Sequence, residues 1–104
     1  MKMNEQKRIN TECIDAYQDL QNCINWYGAT KLKKLRTCSA EVWKTDGYIF
    51  LKSYSTIVAC IGDYDNVCYD FLRYVYGYTA TSAQHISKFW HDYKAIYVQT
   101  YRPL

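Results

Sequence analysis

A chain of 104 residues, about half of them apolar and under a quarter charged, has the size and balance of one globular domain over residues 1–104 and not of a disordered tail. Its formal net charge of +3 is too mild for a dedicated duplex binder and has the wrong sign for an acidic mimic of DNA. The aromatic content stands out: twelve tyrosines, three tryptophans and three phenylalanines exceed what packing needs. Tyrosine, apolar in body and polar at its tip, suits half-exposed interfaces.

Residues 1–6 contain no apolar core of a signal peptide, and no run approaches the ~18 apolar residues of a membrane-spanning helix. A cytoplasmic protein with no membrane partner is expected. Cysteines 13, 23, 38, 60 and 68 form no C-x-x-C pair and no zinc-ligand spacing. Free buried thiols are expected, with no metal and no cofactor.

In chain order, residues 5–27 form the clearest helix. Ile9, Cys13, Ala16, Tyr17, Leu20, Cys23, Ile24 and Tyr27 recur at spacings of three and four and make one stripe. Asn4 is placed as N-cap and Gly28 as the stop, while Lys7, Glu12, Asp15, Asp19 and Asn22 occupy the wet face. Residues 29–39 read as a short helical turn or a connector, with Lys31, Lys33, Lys34 and Arg36 around Leu32 and Leu35.

Strand patterns begin after Ser39. Asp46-Gly47 predicts a tight hairpin that pairs Thr45 with Tyr48, Trp43 with Phe50 and Glu41 with Lys52. A second apolar segment runs from Tyr54 to Ile61, and a third from Val67 to Phe71. A three-residue loop at 63–65 would set Ile61 opposite Val67, Ala59 opposite Tyr69, Ile57 opposite Phe71 and Cys60 opposite Cys68. That register is preferred because a one-residue slip places Asp70 opposite Ala59 on an apolar face. Residues 72–78 alternate with period two, Tyr74, Tyr76 and Tyr78 on one side. Thr81-Ser82-Ala83-Gln84 reads as a capping box opening a helix over 82–93, with Ala83, Ile86, Phe89, Trp90 and Tyr93 as its buried stripe and His85, Lys88 and Asp92 facing elsewhere. Residues 96–101 suit a last strand.

Candidates for chemistry are few. His85, in the first turn of the second helix, could accept a hydrogen bond or serve as a base; equally, it could tie the preceding loop to the helix start. His91 is off the i, i+4 spacing of a helical metal pair, and the aspartates at 63, 65 and 70 lack the glycine and terminal glutamate of a calcium loop. No phosphate loop or nucleophile elbow is present, so the chain is read as a non-enzyme. Lys31, Lys33, Lys34 and Arg36 could follow a phosphate backbone while Tyr74, Tyr76 and Tyr78 stack bases, the pattern of a single-strand binder.

Two stretches carry a resemblance. Ser53-Tyr54-Ser55-Thr56-Ile57-Val58-Ala59 and Tyr78-Thr79-Ala80-Thr81-Ser82-Ala83-Gln84-His85 with Phe89 resemble small proteins encoded by phages of low-GC Gram-positive bacteria. The likeness covers about the C-terminal half. It implies a phage or mobile-element protein in a host cytoplasm, a setting in which small proteins inhibit host defence, anti-CRISPR proteins among them.

The expected fold is α+β: a long N-terminal helix and a second capped helix on one face of a mostly antiparallel sheet of about four strands. Ile49, Leu51, Ile57, Ala59 and Ile61 share the parity expected to meet the helices; Tyr48, Phe50, Tyr54, Val58 and Cys60 share the other. The second face would then be left for a partner or for a homodimer. The function expected is binding and inhibition of a host defence nuclease, with single-stranded nucleic-acid binding as the alternative. Partner-binding residues are expected at Lys31, Lys33, Lys34, Arg36, Phe50, Tyr54, Tyr74, Tyr76, Tyr78 and His85.

Overall fold

The computed structural model describes residues 2–35, 39–72 and 80–98. Helix α1 (Lys2–Tyr27) leads into strands β1 (Thr30–Lys34), β2 (Ala40–Thr45), β3 (Tyr48–Ser53), β4 (Thr56–Gly62) and β5 (Val67–Asp70), followed by helix α2 (Ala80–Asp92) and strand β6 (Ile96–Val98). The strands form one six-stranded sheet in sequential order, antiparallel throughout except for the parallel pair β5–β6. Parallel neighbours require a crossover, and α2 supplies it.

The helix stripe in α1 is realised at Cys13, Ala16 and Leu20, which are buried with Phe50, Cys60 and Phe71, and Tyr17 meets the Phe71 ring edge-on at 5.2 Å. Tyr27, assigned to that stripe, is exposed instead, and the side chains of Ile9 and Lys7 lie outside those described. Gly28 ends the helix: its φ of +74° leaves the helical region while its N–H donates to the Ile24 carbonyl at 2.8 Å. The Thr45 hydroxyl, buried, donates to the Gly28 carbonyl at 2.7 Å and fastens the helix end to β2.

The two helices lie on opposite faces of the sheet, not on one. Ile86 and Phe89 of α2 pack with Val42, Leu51, Ala59, Ile61 and Cys68, the face turned away from α1. Both strand parities are apolar, so both faces need a helical layer, and one helix serves each. Phe50 is 1% exposed beneath α1 and Val58 is fully buried with the α2 core. The aromatic face that motivated a homodimer is therefore covered within the chain.

The Asp46-Gly47 hairpin has the expected register at Thr45–Tyr48, Trp43–Phe50 and Glu41–Lys52. Only Gly47 takes a positive φ there. The β4–β5 hairpin is slipped by one residue from the expected register, with Ala59 opposite Asp70, Cys60 opposite Tyr69 and Ile61 opposite Cys68. The loop is four residues long, 63–66, and closes through the Asn66 N–H to the Gly62 carbonyl. Asp70 tolerates the buried face because its carboxylate accepts from the Leu72 N–H at 2.9 Å and the Tyr97 hydroxyl at 2.7 Å. Cys60 and Cys68 point to opposite faces as a result.

The segment expected as a connector or helical turn contains edge strand β1, paired with β2 through a bulge between Lys31 and Lys33. Helix α2 opens at Ala80, so Thr81 lies inside it and the Thr81–Gln84 capping box is not formed. The alternating stretch expected over 72–78 lies outside the described residues from 73 onward, as does the expected last strand beyond Val98. No described helix is long and apolar enough to cross a membrane.

Candidate functional site

The two motif stretches singled out by resemblance meet in space. β3 and β4 are joined by Tyr54 and Ser55, both left-handed with φ of 53° and 69°, the sign pattern of a type I′ turn. Directly before the turn, the Ser53 hydroxyl lies 2.8 Å from the Ser82 hydroxyl and 3.0 Å from His85 Nδ1. Ser53 and Ser82 are fully buried and His85 is 3% exposed. Tyr54 stands above them, half exposed, its ring 6.1 Å from the His85 ring. His85 thus ties α2 to the β3–β4 turn and is turned away from solvent, while the loop before its own helix lies outside the described residues. A serine beside a histidine resembles a nucleophile and its base. Here the hydroxyl is buried, and the cluster links the β3–β4 turn to α2.

The basic segment forms an exposed edge. All five residues of β1 are exposed, with Leu32 at 47%. Lys31 pairs with Glu41 at 3.4 Å, and Lys33 reaches Asp92 at 3.7 Å and lies over the Tyr93 ring. Lys88, one turn before Asp92, pairs with it at 2.9 Å, and the two lysines hold the Asp92 carboxyl below its ordinary range. The indole N–H of Trp43 donates to Glu41 at 3.1 Å and, with Lys31, lowers that carboxyl too. Lys52 sits over the Trp43 ring at 4.3 Å. Arg36, Tyr74, Tyr76 and Tyr78 lie outside the described residues.

Beside this edge, α1 ends in two exposed aromatic residues, Trp26 at 84% and Tyr27 at 69%. A shallow groove of about 440 Å³ runs from Tyr27 and Gly28 past Thr30 and Leu32 to Lys44. The adjacent aromatics Trp26 and Tyr27, immediately before a helix-stopping glycine, were the available signal in the sequence. The helical spacing places Tyr27 in the buried stripe, whereas the structure leaves it in water.

A second groove, of about 570 Å³, has the opposite charge. Glu12, Asp15 and Asp19 of α1 face Asp46 and Asp65 from two hairpin loops, with Tyr48, Tyr64 and Tyr69 between them. The Tyr48 hydroxyl donates to Asp19 at 2.5 Å and the Tyr69 hydroxyl to Asp65 at 2.8 Å. Burial, followed by those carboxylates, pushes both phenols above their ordinary range. The mild net charge conceals this segregation, because carboxylates distant in sequence converge only in the fold. Among the described residues no group of three or more histidine, cysteine, aspartate and glutamate side chains is arranged to hold a metal ion.

Comparison of the chain with family profiles, with curated proteins and with solved structures gives no match.

Proposed function

We propose that the chain is a non-enzymatic protein of a phage or mobile element that binds and inhibits a host defence nuclease, in the manner of anti-CRISPR proteins. The observation that carries this reading is the exposure of the adjacent aromatics Trp26 and Tyr27, at 84% and 69%, beside the exposed Leu32 of β1. Large aromatic side chains left in water beside a charged edge are the composition of a protein-binding surface. Two further features support it. The acidic groove complements the basic channels in which nucleases hold nucleic acid. The one serine–histidine contact described is closed to substrate.

The test is a cleavage reaction with a purified guide-loaded CRISPR nuclease, titrated with the chain. Cleavage that stops at a stoichiometric ratio to nuclease, at any substrate concentration, is the expected result. Undiminished cleavage across effector types, or inhibition that tracks substrate concentration because the chain coats the DNA, would remove this reading. The second of those outcomes would favour the single-strand binder, which the exposed lysines of β1 also fit.

A further inference from the structure

We propose that the outer edge of β1 binds an extended, acidic segment of a partner protein as a seventh strand, selecting acidic side chains two residues apart. The proposal rests on the protein-binding reading above and specifies what is bound.

β1 is the terminal strand of the sheet, so among the described elements nothing pairs with its outer backbone groups. Such an edge is a template for another strand. Its occupant is set by charge. Lys31, Lys33, Lys34 and Lys44 are all exposed along β1 and its neighbour β2, so an incoming carboxylate shares Lys31 with Glu41 and Lys33 with Asp92 and still meets an excess of positive charge. A second copy is a poor occupant. Antiparallel pairing of β1 with itself about Leu32 would set Lys31 opposite Lys33, and like charges directly opposite destabilise a pair. A strand bearing carboxylates meets the same positions with attraction.

The bulge sharpens the choice. Lys31 and Lys34 are three residues apart in β1, yet they stand opposite Trp43 and Glu41, two residues apart in β2. The extra residue puts both lysines on the same side of the sheet, at the spacing of one full pleat. A regular incoming strand therefore meets them with side chains at positions i and i+2, the pattern acid-x-acid. The groove at Leu32 and Tyr27 lies beside the same edge and receives an apolar side chain of that strand.

The probe is a terminally blocked peptide alternating Glu with Val, compared with the same peptide carrying Lys for Glu and with a single-stranded oligonucleotide. Binding is followed by amide chemical shifts of the full chain at low salt. The Glu peptide should shift and protect amides of residues 30–34, with about three- to tenfold preference over the Lys peptide, as two exposed charge pairs would give. Lys31→Glu with Lys34→Glu should reverse that preference, and Lys31→Gln with Lys34→Gln should abolish it without reversing it. Circular dichroism establishes that both variants are folded. Equal shifts from both peptides, shifts that map away from β1, or tighter binding of the oligonucleotide at β1 would overturn the proposal. The nuclease assay separates the two readings. Wild-type chain that binds the Glu peptide at β1 but leaves cleavage intact removes the inhibitor reading alone. Inhibition that persists with no peptide seen at β1 removes the edge proposal alone.

Discussion

At Tyr54 and Ser55 two consecutive non-glycine residues are held at positive φ, a conformation that L side chains resist. The Ser53–Ser82–His85 contacts fix the chain immediately before the turn, so local strain is offset by a buried polar cluster. Ser53→Ala should leave two buried partners with one bond fewer and destabilise the fold by about 1–3 kcal/mol in urea unfolding. A loss below measurement would mean that Ser82 and His85 are held without it. Ser55→Gly removes the steric cost of the left-handed region and should raise stability by about 1 kcal/mol; a drop would show that the turn has another shape. The sequence marked His85 and Tyr54 as notable but misplaced the histidine, because its partner, Ser53, is 32 residues away along the chain. No local pattern signals that contact.

Cysteine chemistry also belongs to this scale. Burial pushes the Cys13 thiol up to about 12 from 9.0, and burial raises the Cys60 and Cys68 thiols in the same direction. Above pH 9 the unfolded chain loses these protons while the native chain keeps them. The unfolded state then binds fewer protons, so stability is full below that pH and falls above it, by up to about 1.4 kcal/mol per pH unit for each thiol. Melting under reducing conditions should therefore show a steep fall in Tm between pH 9 and 11. A flat profile there would mean that the thiols reach solvent.

For whole elements, legibility followed the range of the interactions. The α1 stripe and the Asp46-Gly47 hairpin are local patterns, and both emerged with their expected contacts at Leu20 and at the Trp43–Phe50 pair. Leu20→Ala should cost about 2–5 kcal/mol, since Leu20 is fully buried between α1 and the sheet. A shift in Tm of only a degree or two would place that stripe in solvent. The β4–β5 register could not be read by excluding a carboxylate from a buried face. Tyr97, on the last strand, supplies the bond that makes Asp70 acceptable there. β1 escaped detection because its lysine-rich alternation is interrupted by a bulge, and edge strands carry charge as protection against aggregation.

Over the whole molecule, the sequence shows apolar residues on both strand parities, but its pattern alone does not tell which helix covers which face. The crossover through α2 covers the face of Leu51, Ala59 and Ile61, and α1 covers the face of Phe50 and Cys60, so the patch expected to form a dimer lies inside. Tyr54 is the exception, half exposed at the turn. Tyr54→Lys should stay folded by circular dichroism, and its mass by light scattering should match that of wild type. Unfolding, or a change in mass, would contradict the placement of Tyr54 at an exposed turn.

The proposed function rests on Trp26, Tyr27 and the β1 edge. The most direct measurement is plating of a phage on a low-GC Gram-positive host whose CRISPR nuclease blocks it, with the chain supplied in trans. Wild-type chain should restore plating, and a folded Trp26→Asp chain at the same level should not. Plating that stays blocked with wild-type chain, or is restored equally by the Trp26→Asp chain, would contradict the account.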